Sequence, residues 1–109
     1  MKYFPFFLQL DQLPCLIVGG GSVAERKLDL LIKAKADITV ISIEFSDYIL
    51  DLAKTHNIRC VKKEYSNKIL EENKYNFVIS ATNDVSLNER VAKDCKKYNI
   101  IVNVVDQPE

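Results

Sequence analysis

No stretch of the 109-residue sequence is apolar for long enough to cross a bilayer, because charged residues interrupt every run. An excess of one charge is missing too. Fifteen Lys and Arg balance fifteen Asp and Glu, which argues against a broad electrostatic footprint for nucleic acid. No C-x-x-C pair occurs; the three cysteines, Cys15, Cys60 and Cys95, are odd in number and each lies in an apolar segment. The expectation is buried thiols in a reducing compartment, hence a cytoplasmic protein without a metal site. The single histidine, His56, falls beside Asn57 at the end of a predicted helix and reads as a C-terminal cap. Internal repeats and low-complexity linkers are absent, so residues 1–109 are read as one domain. The amino terminus opens with Lys2 and an apolar stretch, as a signal peptide does. Pro5, Gln9 and Asp11 break that stretch and no small-residue cleavage site follows, so it is read as an edge element instead.

What is present is an alternation of apolar strand runs with helical patterns, the signature of a parallel sheet covered by helices. Cys15–Val18 is a short apolar strand ending in three glycines. Ser22 to about Lys33 has helical periodicity, with Ala24, Leu28 and Leu31 on one face. Ile38–Ile41 is a second strand, followed by a helix capped by Ser46 whose inner face carries Ile49, Leu52 and Ala53. Ile58–Val61 makes a third strand and Ser66–Glu72 a short helix. Asn76–Ala81 is the fourth strand. Asn83 or Asp84 then caps a helix with Leu87, Val91, Cys95 and Tyr98 inward, and Ile100–Val105 is the fifth strand. Phe6–Leu10 is expected to precede the first strand as an edge strand paired with it. Right-handed crossovers favour the parallel order 3-2-1-4-5, a Rossmann-type doubly wound α/β sheet.

The turn after the first strand fits G-x-G-x-x-A as Gly19, Gly21 and Ala24. The first glycine permits the tight turn, the second lets backbone approach a pyrophosphate, and Ala24 allows close helix–strand packing. The helix that follows aims its unpaired N–H groups at the phosphates, and Ser22 adds a hydroxyl. A dinucleotide site is expected here. Its adenosine ribose calls for an acid near the end of the second strand, and Glu44 is the nearest. No Arg or Lys lies between Ile41 and Tyr48 to receive a 2′-phosphate, which favours NAD over NADP. Thr82 and Asn83, after the fourth strand, are placed either to touch the cofactor or to cap the next helix. Arg26 and Lys27, in the first turn after the glycines, read as a solvated face.

The run Leu16–Lys27 resembles the opening of the siroheme synthase dehydrogenase domain, the precorrin-2 dehydrogenase and sirohydrochlorin ferrochelatase family. Three further stretches are similar to the same family in the same order. They are Pro5–Leu10, Ser80–Asp84 with Asn88 and Arg90, and Asn103–Asp106. The resemblance implies NAD-dependent oxidation of precorrin-2 to sirohydrochlorin, with iron insertion in some relatives and a homodimer in the complete protein. It also implies that Ser22 and Val23 contact the cofactor at the glycine turn and Ile43 and Glu44 after the second strand. Asp106 matches the family's catalytic carboxylate, suited to accepting a proton near the nicotinamide. The family continues past this point into a dimerisation segment, whereas this chain stops at Glu109, so it is expected to be the N-terminal part of a longer protein. The alternative is a non-catalytic NAD-sensing module such as those that gate potassium transport. Such modules place the acid at the very end of the second strand, where this chain has Ser42 and Ile43. A domain that kept the fold and lost its ligand is a third reading.

Overall fold

The computed structural model describes residues 10–105, which alternate strand and helix along the chain. The elements are β1 (Pro14–Val18), α1 (Ser22–Lys33), β2 (Asp37–Ser42), α2 (Asp47–Thr55) and β3 (Ile58–Lys62). They continue with α3 (Lys68–Glu72), β4 (Phe77–Ser80), α4 (Val85–Lys97) and β5 (Ile101–Val104). The strands form one parallel sheet in the expected order, β3-β2-β1-β4-β5. β1 is central, with Ile17 opposite Val40 of β2 and Ile79 of β4. From β1 the chain winds outward to β3, then returns to the other side of β1 as β4. The reversal leaves a crevice at the carboxyl ends of β1 and β4, where ligands bind in sheets of this kind.

Helices on both faces explain why β1 reads as an uninterrupted apolar run. Alternate residues of each strand point to opposite faces. Cys15, Ile17 and Val40 therefore pack with Ala24, Leu28 and Leu31 of α1 and Ile49 of α2. Leu16, Val18 and Val78 pack on the other face with Leu70 of α3 and Val91 and Cys95 of α4. Cys15 and Cys95 are fully buried and Cys60 partly so, and all three are free thiols. Burial pushes Cys15 and Cys95 up from 9.0 to about 11, with a smaller contribution from the neighbouring Asp37 and Asp94 carboxylates.

Local chemistry sets the helix ends. Ser46 Oγ accepts from the Ile49 N–H at 3.2 Å, and Asp84 Oδ1 from the Leu87 N–H at 3.1 Å. Asp84, not Asn83, is thus the cap of α4. His56 closes α2 through its backbone N–H to the Leu52 carbonyl, 2.9 Å. Tyr98 ends α4 half-buried and packs against the inner cluster as expected, while its hydroxyl donates to Glu71 at 2.7 Å. The short helix after β3 starts at Lys68 rather than Ser66.

One expectation is corrected. Residues 6–9 lie outside the described part of the chain, but the partner assigned to that edge strand is not available. β1 is hydrogen-bonded to β2 on one side and β4 on the other, so it has no free edge. Among the described residues no helix is long and apolar enough to cross a membrane, and no group of His, Cys, Asp and Glu is placed to hold a metal ion.

Candidate dinucleotide-binding site

Three loops meet at the carboxyl edge of the sheet and enclose a cleft of about 510 Å³, within the size range of small-molecule sites. They follow β1, β2 and β4, and every cofactor-contact residue expected from the sequence lines the cleft. Gly19, Gly21, Ser22 and Val23 come from the first loop, Ile43 and Glu44 from the second, Thr82 and Asn83 from the third.

The glycines differ in what demands them. Gly19 has φ +131°, and a Cβ there would lie 2.2 Å from the Ala81 carbonyl oxygen. Gly20 is pinned by the second loop: a Cβ would fall 2.1 Å from the Glu44 carbonyl oxygen and 2.9 Å from Ser42 Cβ. Gly21 is the opposite case, with nothing within 4 Å of the Cβ position. A side chain there would project into open space in front of α1. Gly21 is also the N-cap of α1 and supplies no side-chain acceptor. The first helical bond runs from the Glu25 N–H to the Gly21 carbonyl, 3.1 Å. The N–H groups of Ser22, Val23 and Ala24 therefore have no acceptor among the described residues. Unpaired donors at the positive end of a helix dipole, beside a Cβ-free space, fit a pyrophosphate.

The second loop is tied to the first, since the Gly20 carbonyl accepts from the Ser46 N–H at 2.8 Å and the Gly19 N–H donates to the Ile41 carbonyl at 3.0 Å. Glu44 is exposed, and Ile43 is 63% exposed, which is unusual for an isoleucine unless something apolar covers it. The third loop is held from below by Asn88 of α4. Asn88 Oδ1 accepts from Ser80 Oγ and from Thr82 Oγ1, each at 2.7 Å, and Nδ2 donates to the Thr82 carbonyl at 3.0 Å. Arg26 is exposed, Lys27 is half-buried, and neither lines the cleft. Asp106 lies outside the described residues. The preceding residue, Val105, donates its N–H to the Ser80 carbonyl at 3.0 Å, which brings the chain to the carboxyl end of β4.

Sequence reasoning places Gly20 only within the three-glycine turn, Ser80 and Asn88 only within a motif, and gives Ser42 no role, yet all four build the site. For Asn88 the signal was nonetheless visible: a polar amide between the inward-facing Leu87 and Val91 of an amphipathic helix needs partners.

Comparison with known proteins agrees with this geometry. A family model described as "Putative NAD(P)-binding" matches residues 6–109. The chain belongs to this NAD(P)-binding family. It is 41% identical over 109 residues to the siroheme synthase of Psychromonas ingrahamii, covering 100% of this chain and 23% of that protein. It is 43% identical to the siroheme synthase of Methylococcus capsulatus, with the same coverage. A solved structure, SirC, precorrin-2 dehydrogenase, superposes with a TM-score of 0.80 at 27% identity, over 98% of this chain and 51% of that one. The chain thus spans about 23% of the length of these curated relatives. The resemblance read from four motifs is borne out along essentially the whole of this member of the NAD(P)-binding family.

Proposed function

We propose that this chain, residues 1–109, is the cofactor-binding domain of an NAD-dependent dehydrogenase that oxidises precorrin-2 to sirohydrochlorin in siroheme biosynthesis. The observation that carries the proposal is the open space at Gly21 in front of the unpaired α1 N–H groups, in a chain about 40% identical to siroheme synthases. When bound, NAD supplies the hydride acceptor for the tetrapyrrole. The chain's own residues then divide the remaining work. The Ser22 and Val23 N–H groups hold the pyrophosphate oxygens, and the missing Cβ at Gly21 lets them approach. The Glu44 carboxylate accepts from the adenosine ribose hydroxyls. Ile43 provides an apolar wall on the adenosine side, and Thr82 and Asn83 form the opposite wall. Asp106 accepts the proton released as conjugation extends around the macrocycle.

NAD is favoured over NADP because an exposed carboxylate, Glu44, stands in a loop without Arg or Lys between residues 41 and 48. In the parent protein the reading extends to a homodimer with a completed tetrapyrrole cleft and, in that form, to ferrochelatase activity. Three free thiols, two of them fully buried, support a cytoplasmic location.

Titration of the chain with NAD and NADP, followed by thermal shift and calorimetry, tests the cofactor assignment. Binding is expected to raise the melting temperature as the free ligand exceeds its Kd, with NAD the tighter ligand. Gly21→Val is expected to abolish the shift while the free protein melts as before. A response to NAD unchanged by Gly21→Val would move the site elsewhere. For the reaction, Asp106→Asn in the full-length parent protein is expected to stop precorrin-2 oxidation with NAD binding retained. Undiminished turnover would remove Asp106 from the mechanism.

A further inference from the structure

Asn88 is 7% exposed on the inward face of α4. Burying an amide is costly unless each of its polar atoms finds a partner. Here all do: Oδ1 takes the Ser80 and Thr82 hydroxyls and Nδ2 meets the Thr82 carbonyl. One side chain therefore grips both the hydroxyl and the carbonyl of Thr82, and anchors them to the fully buried Ser80 at the end of β4.

Proton counting decides what Thr82 has left for a ligand. Its hydroxyl has one proton, committed to Asn88 Oδ1 at 2.7 Å, while the Asp84 N–H donates to the same oxygen at 3.1 Å. The Asp84 carbonyl, 3.2 Å away, is only a longer alternative acceptor for that proton. The Thr82 hydroxyl thus has no proton left to donate to a ligand. By contrast, the N–H groups of Thr82 and Asn83 have no acceptor among the described residues, and both residues line the cleft.

Resting on the reading of this cleft as the dinucleotide site, we propose that Asn88 is a positioning residue for the cofactor. It locks residues 82–84 so that the backbone N–H groups of Thr82 and Asn83, not the Thr82 hydroxyl, are the donors this wall offers to dinucleotide oxygens. The fixed loop presents them already oriented, so binding does not have to order it. Without Asn88 the loop samples other arrangements, and the apparent Kd rises in inverse proportion to the competent fraction.

The test compares NAD binding to the unaltered chain, Asn88→Ala, Thr82→Val, Thr82→Ser and the Asn88→Ala/Thr82→Val double variant, at a temperature where each is folded. Amide hydrogen exchange at Asp84 is followed without ligand. Asn88→Ala is expected to weaken NAD binding about tenfold, the effect of a loop competent about a tenth of the time. It should also speed exchange at Asp84. Thr82→Ser keeps the hydroxyl and should retain binding, whereas Thr82→Val should weaken it by no more than Asn88→Ala does, and the double variant should bind no worse than Asn88→Ala alone. Additive losses would mean that the Thr82 hydroxyl binds the ligand itself, and would overturn the proposal. Unchanged affinity in folded Asn88→Ala would do the same. Should Asn88→Ala fail to fold, the valine and serine variants at Thr82 decide, by affinity and by Asp84 exchange. Failure of the unaltered chain to bind either NAD or NADP overturns the cofactor reading itself and is distinguishable from all of these.

Discussion

The two edges of the sheet are built by different rules. At the amino edge the turns are closed by side-chain-bearing residues forced into left-handed backbone: Gln12, Lys35 and Asn99 have φ of 65°, 60° and 58°. Their neighbours satisfy one another, as where the Gln12 N–H meets the Lys35 carbonyl at 2.7 Å and the Asp37 N–H the Leu13 carbonyl at 2.9 Å. At the carboxyl edge the residue with positive φ is a glycine, Gly19, and the N–H groups of Ser22, Val23, Ala24, Thr82 and Asn83 have no protein acceptor among the described residues. One edge accepts backbone strain of about 1–2 kcal/mol per left-handed residue. The other avoids Cβ atoms and keeps its donors free. Stability is completed at one end of the strands and recognition is prepared at the other.

The sharpest way to probe that contrast lies within the glycine turn. Gly20→Ala drives a methyl into the Glu44 carbonyl and is expected to cost about 3 kcal/mol in chemical denaturation. Gly21→Ala should leave the denaturation midpoint nearly unchanged yet weaken NAD binding. Equal losses of stability would erase the distinction between a glycine needed for packing and one needed for a ligand.

Alkali comes next. Cys15 and Cys95 are neutral thiols whose pKa values are raised by folding from 9.0 to about 11. Their contribution to stability is fully present below pH 9 and is lost as the pH rises through about 11, because the unfolded chain releases those protons first. Denaturant midpoints measured from pH 7.5 upward should fall across that window, and the slope should flatten in a Cys15→Ala/Cys95→Ala variant. An unchanged slope would show that other groups govern the alkaline limb.

Asp84→Ala removes the cap of α4 at the cleft and should cost about 1 kcal/mol. At the amino edge, Arg59→Ala breaks a 2.9 Å ion pair with Asp37 whose side chains are 56% and 38% exposed, and should cost no more than about 0.5 kcal/mol. NAD binding should not respond to Arg59→Ala. If it did, the two edges would be coupled through β2 and β3, and the division drawn above would fail.

Much of this was legible before any coordinates. Strand runs, helix faces and caps such as Ser46 carry local signals, and their alternation dictates the parallel order. That order places the ends of β1, β2 and β4 side by side, which is why the expected cofactor contacts converge. What escaped was information held between distant segments. The need for glycine at position 20 comes from the Glu44 carbonyl, which only the folded sheet brings beside it. Asn88 meets Ser80 and Thr82 from another element, so its spacing matches no local template. The pairing of Phe6–Leu10 with β1 failed for a simpler reason: a central strand in the order 3-2-1-4-5 has both edges taken.

Glu44 takes part in the molecule through two separable parts. Its main-chain carbonyl is the wall against which Gly20 packs, whereas its carboxylate stands in solvent at the rim of the cleft. Residue 44 can therefore exchange its side chain without disturbing the phosphate turn, since the turn leans only on a peptide group that any residue supplies. Under the proposed assignment of Glu44 to the ribose, cofactor preference is uncoupled from assembly of the turn. The ribose end can then be retuned through Glu44 while the glycines stay as they are.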